Sequence, residues 1–296
     1  MAAQEAADRR PDAGVERDEV ERDGSDVTGT IVVPLDGSEL AEEALATAVW
    51  LASGLRAEVR LIRVTLGATS STEGEADAVY LDQRSSDLGV DDVSTAVIDH
   101  QFPGAGIVEA VAGLADPVVC MTTRGASGWA EFLLGSVSDE VLQGVAAPVV
   151  LRGPACRPGP PDGNRLVVSI DGSEESRAIY PIVADWAPQL GLEVHLVTVA
   201  QCGTTGRPDD RAVAAQTLLD EATADLLALG VHAHGHVLNS AYVADVVFAF
   251  ATGLPAALVA VGTHGRGGLS NKALGGVATE IVRLAPCPVL VRRAGG

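Results

Sequence analysis

One passage of this chain is written twice. Val32-Val33-Pro34-Leu35-Asp36-Gly37-Ser38 returns 135 residues later as Val167-Val168-Ser169-Ile170-Asp171-Gly172-Ser173, and Val64 has its counterpart at the same offset in Val199. Later landmarks shift: Gly125 and Gly265, Gly135 and Gly275, and Pro148 and Pro288 stand 140 residues apart, so the second copy carries five extra residues. They fall between its second strand and its glycine loop, and the helical stretch from Arg207 to Gly230 is where they fit. A repeat this long indicates duplicated domains rather than a solenoid of small units. A chain of 296 residues accommodates two domains, each able to bury a core of its own.

Within each copy, short apolar runs alternate with helical stretches. In the first, Ile31 to Leu35 reads as a strand, Asp36-Gly37-Ser38 as a turn and Glu39 to Ser53 as a helix. Strands follow at Ala57 to Thr65, Val93 to Asp99, Pro117 to Thr122 and Pro148 to Arg152. The helices between them span Glu75 to Leu88, Gly104 to Leu114 and Ser136 to Val145. This alternation implies an α/β fold with parallel strands and right-handed crossovers. A composition of 47% hydrophobic and 3% aromatic residues agrees, because the core must then be built from Val, Leu and Ala.

The expected organisation is a disordered acidic tail over 1–28, a first domain over 29–153, a linker over 154–163 and a second domain over 164–296. The tail mixes Asp, Glu and Arg without a period and has too little apolar surface to offset its ordering entropy. The linker region is rich in Pro and Gly and can continue neither a helix nor a central strand.

The net charge of −20 repels nucleic-acid phosphates and anionic membranes, so neither is an expected partner. There is no apolar run of membrane-spanning length and no signal-peptide core, and a cytoplasmic location is expected. Cys120, Cys156, Cys202 and Cys287 lack metal or redox spacing and read as reduced bystanders.

Chemistry concentrates after the fourth strand of each copy. The first reads Thr122-Thr123-Arg124-Gly125, with Gly128 further on and Gly135-Ser136 after nine residues; the second reads Gly262-Thr263-His264-Gly265, with Gly275-Gly276 after nine. Glycines let a backbone approach a phosphate and aim successive N–H groups at it. A helix opening at Gly135-Ser136 adds unpaired donors and a positive dipole end. Ser136 can cap that helix, with Asp139 three residues on, and can also donate to a phosphate oxygen; a plain N-cap without ligand would leave the same sequence. If the sheet order is 3-2-1-4-5, Asp36 and the glycine loop line one crevice at the topological switch point. Neither a Walker A motif nor Gly-x-Gly-x-x-Gly after the first strand is present, which disfavours a P-loop NTPase or a nicotinamide dehydrogenase.

With these residues in place, the chain resembles the universal stress protein family, whose signature is Gly-x2-Gly-x9-Gly-Ser/Thr after the fourth strand and an Asp ending the first. The likeness covers about 29–153 and 164–294. It implies two tandem open-twisted five-stranded parallel sheets of order 3-2-1-4-5 flanked by helices, Rossmann-like and of the adenine nucleotide alpha hydrolase-like kind, with ATP, with or without Mg, as ligand. By position, Asp36 and Val64 would take the adenine end of the first site, with Gly125, Gly135 and Ser136 toward the phosphates; Gly128, which lies outside the signature, is added to them. Asp171 and Val199 would do so in the second, with Gly262, Gly265 and Gly275 in its loop. Each copy departs once: Thr122 replaces the first Gly, and Gly276 replaces the Ser. Ser169 also stands where the first copy has Pro34.

The resemblance further implies intramolecular pairing of the two copies through their last strands, with a homodimer of the whole chain left open. It implies a regulatory ATP-binding protein of stress or dormancy responses. A slow ATP hydrolase or other nucleotide-using enzyme is the alternative, and a nucleotide-free interaction module is a second. No residue stands out as a catalytic base, and no catalytic or metal site is expected. His232, His234 and His236 alternate on one face of an edge strand, a polar face that could carry a surface metal, while His264 lies inside the second loop and Trp129 and Phe132 read as packing anchors.

Overall fold

The computed structural model describes residues 27–67, 72–124, 134–200, 208–263 and 273–293. The first copy runs β1 (Gly29–Pro34), α1 (Glu39–Glu42), α2 (Ala44–Leu55), β2 (Ala57–Thr65), α3 (Thr72–Asp87), β3 (Val93–Asp99), α4 (Pro103–Ala112), β4 (Pro117–Thr122), α5 (Ser136–Gly144) and β5 (Val149–Arg152). The second runs β6 (Arg165–Ser169), α6 (Glu174–Arg177), α7 (Tyr180–Gln189), β7 (Glu193–Ala200), α8 (Pro208–Ala228), β8 (Ala233–Asn239), α9 (Val243–Gly253), β9 (Ala256–Gly262), α10 (Gly276–Leu284) and β10 (Val289–Arg292). The five extra residues lengthen one helix: α8 has 21 residues where α3 has 16.

The strands form one ten-stranded sheet in the order β3-β2-β1-β4-β5-β10-β9-β6-β7-β8. Each half has the expected 3-2-1-4-5 order with parallel neighbours, and the halves meet where β5 and β10 pair antiparallel, Val150 opposite Leu290. The two expected five-stranded sheets are present, and pairing through their last strands makes them one continuous sheet. The reason is that β5 (Val149–Arg152) would otherwise be an unpaired, mostly apolar edge, and a like edge from the second copy satisfies its backbone groups.

Both faces are covered by helices, so the central strands are buried on both sides and lack polar alternation. Ile31 and Val33 face the α2 and α7 side, where the core runs unbroken through Val150 and Leu290 to Trp186. Val32, Leu151 and Val289 face the other side, against Val141 of α5 and Ile281 of α10. The core therefore crosses the joint instead of stopping at it.

The segment after β5 is fastened at the joint. The fully buried Arg152 donates to Thr47 Oγ1 at 2.9 Å and to the carbonyls of Gly159 and Arg157 at 3.2 and 2.7 Å. The Arg157 N–H in turn reaches the Pro286 carbonyl of the second copy at 3.0 Å. No helix among the described residues is long and apolar enough to cross a membrane.

Candidate functional site

In each half the switch point lies between β1 and β4, or β6 and β9, which pair in parallel while their crossovers run to opposite sides. The Asp-Gly-Ser turn sits at one lip. Asp36 Oδ1 accepts from the Ser38 N–H at 2.9 Å and from its hydroxyl at 2.6 Å, and Ser38 Oγ caps α1 by accepting from the Ala41 N–H at 3.2 Å. The second copy repeats this with Asp171, Ser173 and Ser176 at 3.0, 2.6 and 3.2 Å. The turn needs a left-handed residue at its centre, and Gly37 (φ 84°) and Gly172 (φ 79°) supply it. Each Asp therefore shapes the lip as well as lining it. The serines that lock the carboxylates belong to the motif, a role that the sequence reading left out.

The other lip is the helix start after β4. Gly135 donates its N–H to the Thr123 carbonyl at 2.9 Å, and Gly275 donates to Thr263 at 2.7 Å, so both turns are anchored to their strand ends alike. Here one expectation is corrected. The N-cap is Gly135, extended at φ −61° and ψ 152°, and Ser136 is the first helical residue, with its side chain exposed. Ser136 thus does not cap α5. Ser138, one turn in, takes the local hydrogen bonds, reaching the Gly135 and Thr123 carbonyls at 2.9 and 3.2 Å. In the second copy Gly275 caps and Gly276 is first in α10.

Thr122 and Gly262 end the fourth strand of their halves. Thr122 Oγ1 donates to the Arg124 carbonyl at 2.6 Å. At Gly262 a Cβ would come within 2.7 Å of the Glu175 carbonyl oxygen, so α6 packs its backbone where a side chain would stand. That glycine is accounted for by packing alone. Val64 and Val199, both partly buried, end β2 and β7 beside Ile98 and Leu238 of the neighbouring strands. Gly125, Gly128, Gly265, His264, Trp129, Phe132 and Cys202 lie outside the described residues. The structure thus places Asp36, Val64, Thr122, Gly135 and Ser136 at the carboxyl end of one half-sheet, and Asp171, Val199, Gly262, Gly275 and Gly276 at that of the other. A groove of about 390 Å³ elsewhere, lined among others by Trp50 of α2 and by Leu190, which follows α7, is away from both switch points.

The first crevice has a cation that the sequence reading missed. Arg63 of β2 packs against the turn so closely that a Cβ on Gly37 would lie 2.7 Å from its Nη1. It pairs with Asp77 at 2.8 Å and lies 5.2 Å from the Tyr80 ring centre; Asp77 also accepts from Thr65. The Tyr80 hydroxyl donates to Glu42 at 2.8 Å, and burial, followed by this bond, raises its pKa. The equivalent of Arg63 in the second copy is the buried Thr198. β2 carries Glu58 and Arg60 as well, so its charge alone did not single out Arg63.

Among the described residues no three His, Cys, Asp or Glu side chains are placed to hold a metal. Burial pushes the Cys120 and Cys287 thiols up to about 12, so neither is a thiolate at neutral pH. The histidine face differs from its expected form: His232 precedes β8, and the third ring is His195 of β7, stacked 5.2 and 5.3 Å from His234 and His236.

The family model of the universal stress protein family matches residues 28–151 and again 164–293. The chain belongs to the universal stress protein family. Among curated relatives, it is 30% identical over 185 residues to universal stress protein Rv1996 of Mycobacterium tuberculosis, a match covering 60% of this chain and 58% of that one. Universal stress protein Rv2005c of the same species is 29% identical over 184 residues, 60% of this chain and 61% of its own. The match thus spans under two thirds of these relatives' length. In fold, the chain is similar to a universal stress protein from Archaeoglobus fulgidus, with TM-score 0.64, 20% identity and coverage of 91% of this chain and 97% of the other. A functionally unknown protein, PA1789 of Pseudomonas aeruginosa, has TM-score 0.62 and 16% identity over 90% and 93% of the two chains. Both likenesses concern a tandem fold along nearly the whole chain.

Proposed function

We propose that this tandem universal stress protein is a regulatory adenine-nucleotide-binding protein of the cytoplasm, with one ATP site in each domain, 29–153 and 164–296, joined by the 154–163 linker. Occupancy of the crevices biases a conformation or a partner surface in a stress or dormancy response. The observation that carries the reading is the helix start: in both halves a glycine N-cap, hydrogen-bonded to the residue just past the fourth strand, opens α5 or α10 at the same end of the sheet as the Asp36 or Asp171 turn. Such a helix end favours an anion and satisfies its otherwise unpaired N–H groups by holding one.

Asp36 and the Val64 backbone would take the adenine end, while Gly135 and Ser136 meet the phosphates. The exposed Ser136 hydroxyl, not consumed as the N-cap, supports this assignment. Asp171, Val199, Gly262, Gly275 and Gly276 would form the second site without that hydroxyl, so the first is expected to bind more tightly, by up to about tenfold.

Calorimetric titration of the whole chain with ATP tests the reading. Asp36→Ala and Ser136→Ala are expected to weaken one of two binding events, and unchanged affinity in both variants would sink the assignment. Mass spectrometry of ligand released from purified protein identifies the nucleotide. Release of intact ATP supports regulation over hydrolysis.

A further inference from the structure

We infer that Asp139, on the first copy's α5, is a positioning residue for residues 273–275, the entry to α10 at the second copy's nucleotide site. The inference rests on the reading of the loops as nucleotide sites and assigns one a dependence on the other domain. Asp139 Oδ1 accepts the Ala273 N–H across the domain boundary at 3.3 Å. Its other oxygen accepts from Gln143 Nε2, one turn along α5, at 2.7 Å, which holds the carboxylate in that orientation. Ala273 and Leu274 are buried and lead directly into Gly275, the N-cap of α10. The described end of the loop is therefore fixed on two sides: to its own strand through the Thr263 carbonyl, and to the other domain through Asp139.

α5 is a firm post for this purpose. The second copy grips its C-terminal end, where Arg293 donates to the Gln143 carbonyl and Arg292 to that of Ala146. No equivalent carboxylate exists in α10. Thr279 stands at the matching position, and its hydroxyl donates to the Gly275 carbonyl of its own helix at 3.0 Å. Among the described residues the anchor is made from the first copy to the second.

Asp139 also lies in the first turn of α5, one turn from Ser136, where its negative charge opposes a phosphate at the first site. Loss of the side chain should act on the two sites with opposite sign. The second loses an anchor, and the first loses a repulsion.

The test is ATP calorimetry on the full chain in two backgrounds, Asp36→Ala to report the second site and Asp171→Ala to report the first. Asp139→Ala is expected to raise the second-site Kd about three- to tenfold and to leave first-site affinity equal or tighter. Asp139→Asn, which keeps an acceptor, should restore the second site. An unchanged second-site Kd, or equal weakening of both sites, overturns the inference. Absence of ATP binding in the unmutated chain would refute the nucleotide reading instead. The anchor is then read directly, by hydrogen exchange of residues 273–275 in the ligand-free chain: faster exchange in Asp139→Ala, reversed in Asp139→Asn, supports it, and unaltered exchange overturns it.

Discussion

Two glycines in the second copy occupy signature positions for different physical reasons, and substitution separates them. At Gly262 a Cβ would press on the Glu175 backbone, which cannot swing aside as a side chain would. Gly262→Ala is expected to cost about 1–3 kcal/mol, read as a lower denaturation midpoint, whether or not nucleotide is present. At Gly276 a Cβ would meet nothing within 4 Å. Gly276→Ser should therefore fold unchanged and supply the hydroxyl that Ser136 gives the first copy, tightening ATP at the second site by up to about tenfold. A calorimetric Kd that does not fall would show that the hydroxyl makes no phosphate contact. Sequence spacing could not tell these glycines apart, because both lie in the same motif and only the approach of α6 distinguishes them.

Among elements, the strands were the most legible: β2, β3 and β4 have the bounds read from the sequence. The helix start at Gly135-Ser136 was legible as a start but not in its register, since either residue suits a cap and the deciding backbone angles are not written in composition. The β5–β10 joint was legible only through family resemblance, because a buried edge strand carries no mark of its partner. The histidine stack at β7 and β8 shows a further limit: His195 is some 40 positions from its ring partners and sits in an apolar strand, so only the pairing of Val197 with His236 and of His195 with His234 brings them together. Burial pushes the His195 and His236 pKa values below the ordinary 6.5, and the neighbouring imidazoles push in the same direction. Glu193 of β7 opposes the shift at His195, Arg165 of β6 reinforces it, and α9 contributes the Phe250 ring against both histidines. Because the folded pKa values lie below the unfolded ones, the unfolded chain binds more protons in the window beneath pH 6.5. Stability is then complete above that pH and is lost as pH falls through the folded values. Melting at pH 7.5 and pH 5.5 should show a larger drop for the natural chain than for His195→Leu, and equal drops would exclude the stack as the cause.

For the molecule as a whole, the joint matters more than either half, since core, linker and helices all cross or fasten there. Arg152 concentrates that role, for among the described residues its hydrogen bonds go to a hydroxyl of α2 and two carbonyls of the linker. Arg152→Ala would leave the buried Thr47 hydroxyl without this donor and release the two linker carbonyls, and a loss of about 1–3 kcal/mol is expected, seen as a lower melting temperature and earlier proteolytic cleavage in 154–163. Unaltered cleavage would mean that the linker is held by other contacts. Covalent fusion at this joint has a consequence for how the protein can change over time. In a dimer of identical subunits every substitution lands twice, and the two sites must remain the same. Here each lands once, so Ser136 can persist opposite Gly276, Arg63 opposite Thr198 and Asp139 opposite Thr279, and one molecule can carry two unlike switch points in fixed one-to-one proportion.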